Sequence, residues 1–441
     1  MKIWLKQAIF INRAPFENLT LEFEENGISV LSAVNRRGKT TLISHLVDAF
    51  HEIARPAFDQ EFRGDKENKY YRISSAIHTI DRTKSSIVYL RFGTREVVSA
   101  DAAQSAQIND GVLDYIDIRG ELTAEEYDRL IPVVGKIEFV KFKEELADRG
   151  IIKKVSDIDS KKVAKIFGAN IITYFPSYRY EAPGYLNDPY QVELSFRKSE
   201  SFSGTMLNPI EVIFGLPQIA NWMMDIVLDI HSREPRAQPM WDRINMILTR
   251  TLASKKFGEV RFGVGVRGLG GARIQVVAQA DSAMIYPSVF LMSAGEAAML
   301  CLFGEILRQG DKIIQHPDFD QITGIVAIDE IDKHLHIKLQ KECLPKLLAL
   351  FPNVQFITSS HSPFFNMGLA EELPTRSKIL DIESSGLVSD PVTNKLYVEV
   401  YDMMIRENER FRQGCQNLAA IISEGARPLI VTEGKTDVQH L

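Results

Sequence analysis

Three cysteines, no long apolar run and no excess of basic residues characterise this 441-residue sequence. The cysteines lie far apart, which excludes the close pairs of a zinc knuckle or a disulfide framework. No stretch of about 18 apolar residues occurs, and the first residues alternate polar and apolar side chains as a strand does, which excludes a membrane-spanning helix and a signal peptide. We therefore expect a cytoplasmic protein with no membrane partner.

The acidic balance also limits the class of protein. The formal net charge is -6 and the isoelectric point is near 5.9, which excludes a uniformly basic nucleic-acid binder but leaves room for a local basic groove. The 45% of hydrophobic residues predicts a globular chain with a large core, built as one big domain or two ordinary ones. The sequence contains no internal repeat and no low-complexity tract.

A loop with the pattern of a phosphate-binding motif follows a short apolar strand at residues 28–31. Its sequence, Ala33-Val34-Asn35-Arg36-Arg37-Gly38-Lys39-Thr40-Thr41, differs by one residue from GxxxxGK[ST], and we call it the lysine loop. In such a loop the backbone N–H groups surround the β-phosphate, Lys39 reaches the β- and γ-phosphates, and the Thr40 hydroxyl joins the Mg²⁺ shell. The motif predicts ATP contacts from Asn35, Arg36, Arg37, Gly38, Lys39, Thr40 and Thr41.

Ala33 stands where the first glycine of this motif belongs. Glycine permits a positive φ in a tight turn, so an alanine indicates either a negative φ at this point or weaker phosphate binding. A polar loop that only caps a helix is the alternative interpretation of the segment.

Two acidic residues follow a buried strand at residues 325–328. The pattern predicts that Asp329 holds Mg²⁺, directly or through water, and that Glu330 accepts a proton from the attacking water. Asp332 would then lie in a loop that faces a partner subunit, and we call residues 329–332 the acid turn. Taken alone, this segment favours a solvated turn after a core strand, whereas its pairing with the lysine loop favours catalysis.

A third segment, Met292-Ser293-Ala294-Gly295-Glu296, is similar to the LSGGQ element of ABC-type ATPases in its SGGE form, with Ala294 in place of one glycine. We call it the signature segment. The expected mechanism is a helix N-terminus whose dipole and Ser293 hydroxyl contact the γ-phosphate held by the other subunit. The candidate nucleotide contacts are Ser293, Gly295 and Glu296. Ser-x-x-Glu before an apolar run is also an ordinary capping box, and the two interpretations are compatible.

His361 follows an apolar strand in the sequence Phe-Ile-Thr-Ser-Ser-His. This position suits a histidine that senses the γ-phosphate and the attacking water, and a buried structural histidine is the alternative. His334 and His336 form a close pair, but with no cysteine nearby we interpret them as loop residues and not as metal ligands.

One more magnesium ligand is expected, a glutamine between the lysine loop and the signature segment. Gln191 is the candidate for this role. Arg179 follows a predicted core strand near the same loop. We expect its guanidinium either to approach the phosphates or to pair with Glu181 or Glu193.

The C-terminal residues carry a further acidic motif. A short apolar strand at 427–432 ends in Glu433-Gly434 and is followed by Asp437, a pattern that resembles the beginning of a Toprim fold. In that fold the first strand presents a glutamate to a divalent metal, so Glu433 and Asp437 are candidate metal ligands. A Toprim site also needs an Asp-x-Asp pair on a later strand, and none occurs before Leu441. Either a nuclease domain continues beyond this sequence, or the segment is a degenerate tail.

Hydrophobic periodicity predicts a strand-rich N-terminus and a helical middle. We expect strands at 3–11 and 19–24 with a turn at Arg13-Ala14-Pro15 between them, strands at 28–31, 85–92, 112–118 and 169–174, and a hairpin of 260–266 with 272–280. Helices are expected from Thr40 to about Phe50, at 123–130 and 160–167, and in two or three pieces between Asn208 and about Leu252, broken at Pro217 and around 235–239. Helix–strand units at 293–328 and 335–357 then predict a mostly parallel sheet.

Taken in order, the lysine loop, the signature segment, the acid turn and His361 resemble the ATPase portion of the OLD (overcoming lysogenization defect) family, which joins an ABC-type ATPase to a C-terminal Toprim nuclease. The resemblance covers residues 1–50 and 285–441. It implies an α/β fold: an ABC-type (P-loop) ATPase head with mixed N-terminal strands, a largely parallel core sheet flanked by helices, a globular α/β insertion and the start of a Toprim domain.

This resemblance also implies a domain order and a set of partners. The head comprises 1–50 and 285–396, the insertion and a helical subdomain 51–284, a linker helix 397–426 and the Toprim start 427–441. ATP and Mg²⁺ are the implied cofactors, and a homodimer or higher oligomer through the heads is the implied assembly. DNA is an implied partner. The family serves bacterial defence against phage and includes members encoded beside retrons. The resemblance therefore also implies, as a candidate partner, a reverse transcriptase with its RNA–DNA hybrid or another defence protein.

Two other classes of function stay open. One is a stand-alone ATPase scaffold of a two-component defence system that holds a separate effector. The other is a DNA-repair ATPase of SMC or RecF type, although SMC proteins fill the interval between Lys39 and Asp329 with heptad-patterned coiled coils that this sequence lacks. The Glu433-Gly434 motif favours a nuclease-linked effector over the scaffold.

Overall fold

A computed structural model describes residues 1–33, 37–58, 74, 79–98, 107–120, 125, 151–155, 158–179, 205–213, 215–252, 258–265, 273–382, 387–391, 394–402, 413–414 and 416–417. The predicted helix at 123–130, apart from Glu125, and the segment 427–441 lie outside these ranges. So do five of the predicted site residues, which are Asn35, Arg36, Gln191, Glu433 and Asp437.

Runs of strands and helices follow one another along the described part of the chain. In order, the strands are β1 (Lys2–Arg13), β2 (Phe16–Glu22), β3 (Ile28–Ser32), β4 (Ser86–Val98), β5 (Gln107–Arg119), β6 (Ile151–Val155), β7 (Ile171–Phe175), β8 (Val260–Val264), β9 (Ile274–Ala278), β10 (Met284–Tyr286), β11 (Gly324–Ile328), β12 (Val354–Ser360), β13 (Ser377–Asp381) and β14 (Leu387–Val388). The helices are α1 (Lys39–Ala54), α2 (Ser160–Ala169), α3 (Leu216–His231), α4 (Ala237–Leu252), α5 (Ala294–Ile313), α6 (Leu344–Leu348), α7 (Pro363–Glu372) and α8 (Lys395–Tyr401).

An antiparallel sheet with the order β2-β1-β4-β5-β6 begins at the N-terminus. β1 and β2 form a hairpin whose register pairs Arg13 with Phe16, so the turn is Ala14-Pro15, as predicted. β4 and β5 are longer than expected, at 13 residues each. β4 pairs with β1 along most of its length. The sheet therefore joins the first residues of the chain to strands from the interval 51–284.

A second sheet is parallel except at one edge, with the order β14-β13-β3-β12-β11-β7. Every residue of β3, β7, β11 and β12 is buried, as apolar strands covered on both faces require. The register aligns Ile328 with Thr358 and Ser32 with Ser360. The residues that follow β3, β11 and β12 therefore meet at one edge of the sheet, which is where ligands bind in open α/β folds.

Alternate residues of β11 enter two separate cores. Val326 and Ile328 pack with apolar residues of α3, α4 and α5. Ile325 and Ala327 pack with α1 and with the antiparallel sheet. The parallel sheet is thus a central layer, and the α/β class with a helix-flanked parallel sheet, expected from the sequence, is confirmed. None of the helices in the described ranges is long and apolar enough to cross a membrane.

The region before α3 differs from the expectation. Residues 208–212 are not helical: the Val212 N–H donates to the Tyr174 carbonyl, and Glu211 forms an isolated bridge beside β7. Their apolar spacing was misread because a short buried extended segment carries the same residue types as a helix. Pro217 does not break a helix either. It lies in the first turn of α3, where the missing N–H has no intrahelical partner to lose.

The helix–strand unit expected at 335–357 is present: residues 337–348 are helical, with a π-helical turn, Leu339–Cys343, before α6, and β12 follows. The predicted hairpin of β8 and β9 is present. A third strand, β10, extends it to a sheet of order β10-β9-β8 that the sequence did not predict.

Gln355 connects the parallel sheet to the antiparallel one. From β12 its amide nitrogen donates to the Leu5 carbonyl at 2.8 Å and to the Glu24 carbonyl at 2.7 Å. Its amide oxygen accepts from the Leu5 N–H at 2.7 Å. Leu5 and Gln355 are 0% and 1% exposed, so the buried N–H and carbonyl of Leu5 find their hydrogen-bond partner in this side chain.

Candidate functional site

The lysine loop meets the start of α1 at Gly38. This glycine has φ 94° and caps the helix in the left-handed conformation, which costs little only for glycine. A Cβ at this point would lie 2.4 Å from Cζ of Phe16 and 2.7 Å from Cδ of Pro15. The β1–β2 turn therefore packs directly on the loop, and no side chain fits between them.

Lys39, the first residue of α1, is buried, and its ammonium donates to the Ala33 carbonyl at 2.5 Å. The same nitrogen lies 3.3 Å from Nδ1 of His361. The two ends of the lysine loop are thus joined by its own lysine. Arg37, in the same loop, is exposed.

Thr40 connects the lysine loop to the acid turn. Its hydroxyl donates to Oδ2 of Asp329 at 3.1 Å, although 289 positions separate the two residues. The other carboxylate oxygen of Asp329 accepts from the Ser359 hydroxyl at 2.5 Å. Asp329 is 2% exposed, and each of its carboxylate oxygens accepts from a hydroxyl group.

Glu330 has an unusual backbone conformation, with φ 49°. Its N–H donates to the Ser359 hydroxyl at 2.8 Å, and its carbonyl accepts from the Lys333 N–H at 3.0 Å. Non-glycine residues at positive φ are uncommon and concentrate at functional sites, where the surrounding structure enforces them. The half-buried side chain of Glu330 therefore extends from a backbone turn that hydrogen bonds hold in place.

His361 lies immediately after β12 and faces both motifs. Its backbone N–H donates to Oδ1 of Asp332 at 3.3 Å. Burial lowers the pKa of its imidazole, and the positive charge of Lys39 lowers this pKa further, against the opposing effect of Asp332, Glu330 and Asp329. The ring is therefore neutral at neutral pH. An imidazole nitrogen that faces an ammonium must be the acceptor, so the ring hydrogen belongs on Nε2.

Arg179 lies beside the acid turn, and its hydrogen bonds to described residues all go to backbone carbonyls. One guanidinium nitrogen donates to the Asp329 carbonyl at 2.7 Å and to the Pro176 carbonyl at 3.1 Å. The other donates to the Glu330 carbonyl at 3.0 Å. The contact with phosphates that the sequence offered as one alternative stays a prediction. The alternative partners, Glu181 and Glu193, lie outside the described residues.

The signature segment forms the start of α5, as expected, with Ser293 as the N-cap residue. Ser293 is exposed. A Cβ at Gly295 would lie 2.9 Å from the His334 carbonyl, so this helix end packs closely on the residues that follow the acid turn.

Glu296 requires a correction. Its carboxylate is 2% exposed and accepts from the Ser293 N–H at 3.0 Å and from the Tyr286 hydroxyl at 3.1 Å. These contacts are those of a capping residue. The carboxylate therefore points into the protein and not toward a nucleotide, because its oxygens hold α5 in place.

The structure brings together six of the predicted site residues: Lys39, Thr40, Asp329, Glu330, Asp332 and His361. The sequence interpretation missed Ser359, which bonds to the Asp329 carboxylate and to the Glu330 N–H. The sequence alone carries no signal for it, because Ser359 reaches these residues through the register of β12 on β11, which pairs Thr358 with Ile328.

A family model described as "AAA domain, putative AbiEii toxin, Type IV TA system" matches residues 283–367, which include the signature segment, the acid turn and His361. The chain is similar to the "Retron Vc95 probable ATPase" of Vibrio cholerae serotype O1 biovar El Tor, with 38% identity over 108 residues, which are 22% of this chain and 21% of that protein. It is similar to the "Retron Ec83 probable ATPase" of Escherichia coli, with 41% identity over 78 residues, 17% of this chain and 14% of that protein.

A shorter match joins the chain to the "Septu protein PtuA" of Bacillus mycoides (strain KBAB4), with 46% identity over 48 residues, 11% of this chain and 7% of that protein. The chain thus spans between 7% and 21% of the length of these relatives. Among solved structures, it is similar to an SMC head bound to the C-winged helix domain of ScpA, with a TM-score of 0.42 and 10% identity over 86% of this chain and 94% of that one. The SMC head domain from Thermotoga maritima gives a TM-score of 0.38 and 12% identity over 86% and 95%.

Proposed function

We propose that this chain binds ATP with Mg²⁺ and hydrolyses it at the sheet edge where β3, β11 and β12 end. The observation that carries this proposal is the 3.1 Å hydrogen bond from Thr40 to Asp329. In P-loop ATPases the hydroxyl after the loop lysine and the aspartate after a core strand hold the same metal ion. Similarity to two proteins named as probable ATPases supports the same activity.

Thr40 and Asp329 are the residues that would hold the magnesium ion. Mg²⁺ takes oxygen ligands at about 2.0–2.1 Å in an octahedron, so neighbouring ligand oxygens are about 2.9 Å apart. The two oxygens here are 3.1 Å apart, which fits that spacing. When bound, the ion neutralises charge that develops on the phosphate oxygens. Ser359 holds the other oxygen of Asp329 and so keeps the first one directed at Thr40.

Three side chains of this site have proposed roles in the reaction. Lys39 binds the β- and γ-phosphates, because it is the cation at the helix start that follows the lysine loop. Glu330 accepts a proton from the attacking water. His361, neutral and with its hydrogen on Nε2, donates a hydrogen bond to the γ-phosphate. Gly38 and the remaining loop residues supply backbone N–H groups.

We also propose that two copies meet through their ATPase heads. Ser293 is exposed at the N-terminus of α5, where the helix dipole favours an anion. Leu291, next to the signature segment, and Ile337, five residues after the acid turn, are 57% and 50% exposed and would add apolar area to such an interface. Ser293 and Gly295 would contact the γ-phosphate bound by the second copy, and Asp332 would lie at the same interface.

The proposed biological role is a bacterial antiphage defence ATPase. Two relatives carry retron names, which supports a partner encoded with a retron, such as a reverse transcriptase with its RNA–DNA hybrid, or another defence protein. DNA as a target, and control of a Toprim nuclease through Glu433 and Asp437, rest on the OLD resemblance of residues that lie outside the described ranges.

The test is Mg²⁺-dependent release of phosphate from ATP by the full chain and by Glu330→Gln. The variant should lose about 10²-fold or more in kcat, the range for removal of a general base, and should accumulate as an ATP-bound dimer in light scattering. Glu342→Gln, whose carboxylate is exposed and lies 4.0 Å from Lys338, is the matched control and should keep the normal rate. Normal turnover by Glu330→Gln would refute the base assignment, and a wild-type chain without turnover would refute the function.

Thr40 variants test the metal part of the proposal separately. Thr40→Ala removes the hydroxyl, so it should require a higher Mg²⁺ concentration for half-maximal turnover. Thr40→Ser keeps the hydroxyl and should behave like the wild type. Equal Mg²⁺ dependence of the alanine and serine variants would contradict the role of Thr40 as a ligand.

A further inference from the structure

Arg179 is a buried cation surrounded by carbonyl oxygens. It is 9% exposed and donates to the carbonyls of Pro176, Asp329 and Glu330. Among the described residues it forms no ion pair within 4.0 Å. The carboxylates of Asp329, Glu330 and Asp332 lie nearby, yet the guanidinium donates to backbone carbonyls. It therefore fixes the backbone conformation of the segment that carries these acids.

The chain that Arg179 holds is strained at Glu330. A residue other than glycine at φ 49° costs about 1–3 kcal/mol and persists only when neighbouring groups enforce it. Ser359 binds the N–H of Glu330, and Arg179 binds the carbonyl. The two peptide groups on either side of Glu330 are therefore held from opposite sides, and their orientation decides where the Glu330 carboxylate points.

A second contact joins the segment that carries Arg179 to the acid turn, this time with the donor on the side of the acid turn. The Lys333 ammonium, just beyond the acid turn, donates to the Ser177 carbonyl at 2.8 Å. Residues 176–179 and 329–333 are thus bound to each other by a cation from each side. Among the described residues, Arg179 donates to neither Lys39 nor Thr40, so its direct contacts are with the acid turn and not with the lysine loop.

We propose that Arg179 is a positioning residue that holds Glu330 in the orientation needed to accept a proton from the attacking water. This role rests on the proposed function, since Glu330 is the base only if the chain hydrolyses ATP. It assigns to Arg179 an effect on the rate of the chemical step and none on nucleotide binding. A misplacement of a reacting group by about 1 Å lowers a rate by about 10²-fold.

The experiment compares Arg179→Ala and Arg179→Lys with the control variant Arg376→Ala. Arg376 also donates only to backbone carbonyls among its described contacts, those of Asn26, Leu348, Phe351 and Val354. Burial lowers the pKa of both guanidinium groups. Arg376 precedes β13, at the other end of the parallel sheet from the site, so Arg376→Ala reports what loss of such an arginine does to stability alone.

For Arg179→Ala we expect kcat to fall by about 10²-fold while the Kd for ATP stays unchanged. Millimolar guanidinium chloride should raise kcat of Arg179→Ala, because the free ion can occupy the vacated space, and should not raise that of Arg376→Ala. Arg179→Lys should recover part of the rate, since an ammonium can reach one carbonyl but cannot span two. Arg376→Ala should lower Tm and leave kcat per folded molecule unchanged.

If the wild-type chain hydrolyses ATP, two results would overturn the role of Arg179. One is normal kcat in Arg179→Ala. The other is a parallel loss of kcat and ATP affinity without rescue by guanidinium, which would indicate a contact with the phosphates or a general loss of structure. A wild-type chain without turnover would instead refute the proposed function, and the positioning role would fall with it.

Discussion

The ammonium nitrogen of Lys39 lies 3.3 Å from Nδ1 of His361, across 322 positions of sequence. The same ammonium donates to the Ala33 carbonyl. The lysine therefore contacts both the first residue of its own loop and the histidine that follows β12. This relationship connects two of the four motifs directly, and the Thr40 to Asp329 bond connects the first motif to a third.

Replacement of Lys39 by methionine should weaken ATP binding. Methionine has a similar length without the charge, so it removes charge-assisted hydrogen bonds worth about 1.5–3 kcal/mol, which corresponds to about 10- to 100-fold in Kd. A titration with a fluorescent ATP analogue measures this change. Lys338→Met is the control, because Lys338 has a 55% exposed side chain and should bind ATP normally. An unchanged Kd in Lys39→Met would remove the phosphate role of this lysine.

His361 should make stability depend on pH. Its pKa in the folded chain is lowered, first by burial and then by Lys39, so below about pH 6.5, the ordinary pKa of histidine, the unfolded chain binds more protons than the folded chain. The contribution is fully present above that pH and is lost as the pH falls through the folded pKa. The Tm of the wild type should therefore fall more steeply on acidification than the Tm of His361→Gln. Parallel curves in thermal melts would contradict this effect.

Gly38→Ala should destabilise the lysine loop. The left-handed φ of 94° disfavours any side chain, and a Cβ would clash with Pro15 and Phe16. We expect a loss of about 1–3 kcal/mol in the free energy of unfolding, measured in urea, together with weaker ATP binding.

Gly168→Ala is the matched control for this substitution. Gly168 lies in α2, and a Cβ there would meet no heavy atom within 4 Å. Alanine should be neutral or stabilising by up to about 1 kcal/mol, because glycine is a poor residue within a helix. Equal effects of the two alanine substitutions would show that the position of Gly38 has no special constraint.

Gln355→Leu tests the connection between the two sheets. Leucine removes all three hydrogen bonds to the backbone of Leu5 and Glu24. It leaves the buried N–H and carbonyl of Leu5 unpaired, at about 1–3 kcal/mol for each, whereas the Glu24 carbonyl keeps its bond from the Gly27 N–H. The free energy of unfolding should fall by about 2 kcal/mol or more. Gln238→Leu, at an exposed position of α4, should change it little. A Gln355 variant as stable as that control would show that the sheets do not depend on this side chain.

Much of the fold could be predicted from the sequence because its signals are local. The Ile-Val-Ala-Ile run of β11 and the turn at Ala14-Pro15 depend only on neighbouring residues. The errors occurred where local patterns are ambiguous. Residues 208–212 are apolar at helical spacing, yet they lie extended beside β7, because backbone pairing with a distant strand decided their conformation.

The sequence by itself determined the chemistry of the candidate site, since lysine, threonine, aspartate, glutamate and histidine were identified in short motifs whose meaning lies in adjacent residues. Only the tertiary structure decided how these groups are held. The sequence does not reveal that Ser359 binds both acids, that Arg179 binds the carbonyls behind them, or that Glu296 points inward. Those contacts join residues 10 to 151 positions apart, and their geometry arises only when parallel strands bring their ends to one edge of the sheet.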